Sequence, residues 1–111
     1  MGTKISDFSI KLMSGHWEVE GIRYSFDPVG LLGARGVVKK LLNGTYVPFC
    51  EYVVRNANGI LYLNFEGIPL KRIFKIMDET DKNIIEAEMY YALEGESDED
   101  RLSVLVTFMR V

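Results

Sequence analysis

A single cysteine, Cys50, in 111 residues rules out an internal disulfide, so the fold must be held by a packed core and hydrogen-bonded ladders alone. Histidine is equally scarce. With only His16, and no cysteine or carboxylate at ligand spacing from it, neither a zinc site nor any other metal or cofactor is expected. No hydrophobic run reaches the length of a membrane span, and Lys4, Asp7 and Lys11 interrupt the first residues, which therefore do not read as a signal peptide. Cytoplasmic location is the corresponding expectation. Basic residues do not dominate either: 13 Lys and Arg against 16 Asp and Glu give a net charge of −3, which argues against a nucleic-acid partner. No nucleophile is paired with a base, so an enzyme is the least supported class. Cys50 lies between Phe49 and Glu51 with no cation in its immediate sequence to lower its pKa, and reads as a buried, inert thiol.

What the chain does have is 48% apolar residues cut by turn signals into short runs. One domain is expected at this length, with a core large enough to need no staples. Ile5, Phe8 and Leu12 share a helical face behind a Thr3 or Ser6 cap, and the segment ends at Ser14-Gly15; a strand over Phe8 to Leu12 is the alternative. Eight runs with strand character follow. They are His16 to Val19, Ile22 to Phe26, Leu31 to Leu42, Thr45 to Arg55, Ile60 to Glu66, Leu70 to Met77, Asn83 to Leu93 and Arg101 to Val111. The third is ambiguous, because Val37, Val38, Leu41 and Leu42 also fit a helix from about Ala34 to Leu42, ended at Asn43-Gly44. Gly30, Gly33 and Gly36 would each cost a helix about 0.8 to 1 kcal/mol, and we read a kinked strand.

Eight strands in a meander bring the last antiparallel to the first, which predicts an all-β, eight-stranded up-and-down antiparallel barrel with a short N-terminal helix. Closure sets Arg110 beside Trp17. Together, Gly15, Trp17 and Arg110 resemble the lipocalins and the wider calycin group, which carry Gly-x-Trp at the start of the first strand and an arginine packed over that tryptophan. The family's Thr-Asp-Tyr turn between its sixth and seventh strands is matched by Thr80-Asp81, with Lys82 in place of the tyrosine. The resemblance implies that these features gather at the barrel end plugged by the helix. It also implies a structural role for Gly15, Trp17 and Arg110. Unlike secreted lipocalins, this chain is short, lacks a disulfide and has a tight first hairpin at Glu20-Gly21.

Alternation points Leu61, Leu63 and Phe65 inward, with Ile85, Ala87, Met89 and Tyr91, and Leu102, Val104, Val106 and Phe108. Phe74 and Arg72 share a face on the sixth strand, and Tyr24, Tyr52, Tyr91 and Arg72 are the polar groups expected inside. An eight-stranded barrel is just wide enough to be filled by side chains or to hold one small ligand. The expected ligand-binding set is therefore Tyr24, Tyr52, Leu63, Phe65, Arg72, Phe74, Ala87, Met89, Tyr91, Val104 and Val106, taking a small hydrophobic or amphipathic molecule. A protein-binding module of inhibitor or immunity type, using exposed residues such as Leu105 and Met109 and the acidic run Glu94 to Asp100, is the alternative. Strand direction also carries Lys39, Lys40, Lys71 and Arg72 to the same rim as the acidic run Glu94 to Asp100, a two-sided mouth whose basic side would attract an anionic headgroup.

Overall fold

The computed structural model describes residues 4–30, 33–92 and 102–111. A helix, α1 (Lys4–Met13), precedes eight strands: β1 (His16–Val19), β2 (Ile22–Pro28), β3 (Arg35–Leu42), β4 (Thr45–Ala57), β5 (Ile60–Glu66), β6 (Lys71–Asp78), β7 (Ile84–Ala92) and β8 (Val104–Arg110). They close in sequence order into an antiparallel barrel, β8 returning to β1 through Trp17 opposite Arg110 and Glu18 opposite Met109. No helix among the described residues is long and apolar enough to cross a membrane.

Local chemistry explains the elements. Glu20-Gly21 and Asn43-Gly44 both hold positive φ at two consecutive positions, the geometry of a two-residue hairpin turn that matches strand twist. Asn43-Gly44 is thus a hairpin, and Ala34 to Leu42 is not a helix. The start of this run, Leu31, lies outside the described residues, as do the Thr3 cap and the acidic run Glu94 to Asp100. Ser6 falls inside α1 and does not cap it, and Phe8 to Leu12 is helix, not strand. Here tertiary burial decides: on a helix Phe8 and Leu12 share one face, and both are completely buried at the barrel end.

That end is tied shut by directed bonds. Trp17 is fully buried and its Nε1 donates to the Leu12 carbonyl at 3.0 Å. The Arg110 guanidinium lies 4.5 Å from the Trp17 ring centroid, and donates to the Lys82 carbonyl at 2.8 Å and to Ser14 Oγ at 3.0 Å. Gly15 makes room for it, since a Cβ there would stand 2.5 Å from Arg110 Nη1. The ammonium of Lys11 donates to the carbonyls of Glu79 and Asp81, so two cations grip the one turn that contains Thr80-Asp81-Lys82.

Two bulges shape the wall. Opposite β3, the register slips so that Val38 faces Cys50 while Lys39 faces Pro48, leaving Phe49 as the extra residue of β4. A second slip at Ile76/Asp78 leaves Met77 unpaired with β7 and exposed.

Candidate binding site at the barrel mouth

Inward alternation places an aromatic column along the axis. Ring centroids of Tyr24 and Phe65 are 5.5 Å apart, Phe65 and Phe74 4.9 Å, Phe74 and Phe108 5.1 Å, all edge-on, which is the favoured electrostatic arrangement. Phe26 and Tyr52 pack the same way at 5.3 Å. These rings belong to one contiguous cluster of buried side chains.

Tyr52, Leu63, Phe65, Ala87 and Val106 all belong to the buried core cluster and are not among the residues that line the cavity at the mouth. The Tyr52 hydroxyl is buried without a partner, and desolvation pushes its pKa up to about 12, with the charge of Asp27 adding to the rise. Cys50 is buried as expected; desolvation carries its thiol up to about 12 against a smaller opposing pull from Arg72. The thiol is therefore expected to resist alkylation by iodoacetamide at pH 8 in the folded protein and to react at once in urea. Equal rates in both conditions would contradict its burial.

Above the column, a cavity of about 260 Å³ opens at the end opposite α1. It is lined by Val19, Glu20, Ile22, Tyr24, Arg72, Phe74, Met89 and Tyr91. Of the expected binding residues, the structure thus brings Tyr24, Arg72, Phe74, Met89 and Tyr91 together. Val104 shares the inward face, being the ladder partner of Met89, but neither it nor Leu102 is buried. Val104 is 52% exposed and Leu102 94%, because the tight hairpin ends β1 at Val19 and no described residue covers the upper part of β8. In β8 only Val106 and Phe108 are buried.

The four basic residues of the rim separate by alternation into two kinds. Lys39 and Lys71 are neutralised, by Asp27 at 2.7 Å and Glu66 at 3.6 Å. Lys40 and Arg72 are not: among the described residues neither has a carboxylate within ion-pair distance. Lys40 is the ladder partner of Tyr24 and so shares its inward face. Its Nζ lies 4.6 Å from the Phe49 centroid, and Arg72 Cζ lies 5.6 Å from that same centroid and 5.9 Å from the Tyr91 ring. Arg72 Nη1 also donates to the Tyr24 hydroxyl at 3.4 Å, while its Nε is buried without a partner.

Phe49 was not among the expected site residues. Strict alternation would have turned it outward once Cys50 and Tyr52 face in, and only the bulge brings it onto the core, 6.4 Å from Phe65. No titratable cluster fit to hold a metal exists among the described residues. The architecture is that of an eight-stranded up-and-down barrel, and comparisons with family models, curated proteins and solved structures return no match.

Proposed function

We propose that the chain is a lipocalin-like, cytoplasmic barrel that binds a small amphipathic molecule at its mouth, apolar part inward. One observation carries this reading: a cavity of about 260 Å³ lined by Phe74 and Met89, whose wall bears an arginine with no carboxylate partner among the described residues. A mostly apolar recess with a few convergent polar groups is the usual form of a small-molecule site. The recess is slightly smaller than the roughly 300 Å³ at which such sites ordinarily begin, so a short chain or single ring suits it, not a long acyl chain.

Two substitutions separate a mouth site from a general lumen site. Met89→Trp narrows the cavity and is expected to abolish binding of an environment-sensitive alkyl dye while the melting temperature stays within a few degrees. Ala87→Phe adds a ring where nothing is open, and is expected to cost about 1 to 3 kcal/mol. That is a fall of about 4 to 15 °C in melting temperature. Dye binding in any Ala87→Phe protein that remains folded should survive. Loss of binding in the Ala87 variant but not the Met89 variant would refute the mouth assignment.

A second reading rests on the outer face of β8, where Leu105 is 79% exposed beside exposed Met109. Failure of the parent protein to take up any apolar probe would favour that face as a protein-binding surface.

A further inference from the structure

We infer that the mouth recognises a doubly charged anionic head, of phosphoryl type, between Lys40 and Arg72. The inference rests on the mouth-site reading and adds the charge class of the ligand. The carrying observation is the sorting of the basic residues. Neighbouring positions on β3 and β6 each supply one lysine that turns outward to a carboxylate, Lys39 to Asp27 and Lys71 to Glu66. The next residue on each strand, Lys40 and Arg72, turns inward and finds an aromatic ring instead.

Both cations lie against one ring, Phe49, which the β4 bulge swings to the core side. A ring face attracts a cation without consuming its charge, so it positions both groups while leaving them free to meet an anion. Arg72 adds directional donors: Nη1 already points to the Tyr24 hydroxyl, and its buried Nε has no acceptor. A guanidinium with a free donor edge suits a tetrahedral oxyanion, and Lys40 supplies the second positive charge as a point charge. Glu20, in the turn between β1 and β2, is the one carboxylate among the cavity-lining residues. It disfavours a head placed against that turn. Among the described residues no carboxylate pairs with either cation, so a neutral head would leave both without a counter-charge there, and a single negative charge would satisfy one of them.

Three octyl probes of matched length make the test: octanol, octyl sulfate and octyl phosphate, titrated at pH 8, where the phosphate carries two charges and the sulfate one. Inorganic phosphate is the fourth arm. Octyl phosphate is expected to bind about three- to fivefold more tightly than octyl sulfate, the size of one half-exposed ion pair. The preference should shrink as salt rises. Lys40→Gln is expected to bring the phosphate-to-sulfate ratio close to one, and Arg72→Gln to weaken both anions. Equal affinity for the sulfate and phosphate in the parent, or an unchanged ratio in Lys40→Gln, overturns the proposal while octanol binding keeps the mouth site. Binding of inorganic phosphate as tight as octyl phosphate, with no octanol binding, would uphold the two-cation site, identify its source as a free ion and overturn the amphiphile reading. If no probe binds, both readings fall together.

Discussion

Replacing Trp17 with alanine is expected to remove about 3 to 5 kcal/mol of stability, the range for deleting a large buried aromatic side chain. For a domain of this size that is roughly a fifth or more of a total near 5 to 15 kcal/mol, and a fall of about 12 °C or more in melting temperature. The size follows from position. Trp17 is fully buried at the one place where α1, β1 and β8 converge, and its indole N–H satisfies the Leu12 carbonyl at the C-terminal end of the helix. Its removal leaves a cavity and an unpaired carbonyl, and takes the platform from under the Arg110 guanidinium. A double-mutant cycle with Arg110→Ala isolates the stacking contribution, for which about 0.5 to 2 kcal/mol is expected. Chemical denaturation of the two single variants and the double variant supplies the numbers. A loss below 1 kcal/mol for Trp17→Ala would mean that the plug contributes little and that the ladders alone hold the barrel.

The contact between Trp17 and Arg110 was legible in the sequence despite a separation of 93 positions, because an even strand count dictates which ends meet. So was the sense of most inward side chains, since Glu86, Glu88 and Asn64 mark the opposite face of their strands. Even there the marking was partial: Asn64 faces out yet is buried under its neighbours. In β8 both faces are apolar; Val104 pairs with Met89 and shares the face of buried Val106 and Phe108, but alternation does not report that β1 stops short and leaves the upper part of that face uncovered by the described residues. Alternation also reports direction without volume. Nothing in the order of residues says that Phe74 and Met89 line the cavity at the mouth while Tyr52, Phe65 and Ala87 do not. The bulge at Phe49 carried no local signal at all, since a one-residue slip arises from the pairing of β3 with β4 and not from either strand alone.

Gly36 illustrates the same gap between pattern and packing, and it gives the other large expected effect. In the sequence it argued only against a helix; in the barrel its neighbours on both adjacent strands leave no room for a Cβ. Gly36 sits in β3 between Pro28 of β2 and Tyr52 of β4. A Cβ there would stand 2.8 Å from both Pro28 Cα and Tyr52 Cε1, and would overlap the Asp27 carbonyl oxygen. Two of these three atoms are backbone, so no rotamer change relieves the overlap, and the third belongs to a fully buried ring. Gly36→Ala is therefore expected to cost about 3 kcal/mol, at the upper end of the range for overpacking. Shortening the neighbour should not restore it, because Tyr52→Leu removes the ring contact and leaves the Asp27 carbonyl in place. Gly44→Ala is the control. Gly44 has φ of 81° and open space around it, so its substitution incurs only the left-handed backbone penalty of about 1 to 2 kcal/mol. The urea midpoint should fall least for Gly44→Ala, further for Gly36→Ala, and at least as far for the Gly36→Ala/Tyr52→Leu pair as for Gly36→Ala alone. Recovery in the double variant would show that the ring, not the β2 backbone, enforces glycine at position 36. A Gly36→Ala protein as stable as the parent would mean that β2 and β3 are free to separate at this rung, which the close approach of the two strands forbids.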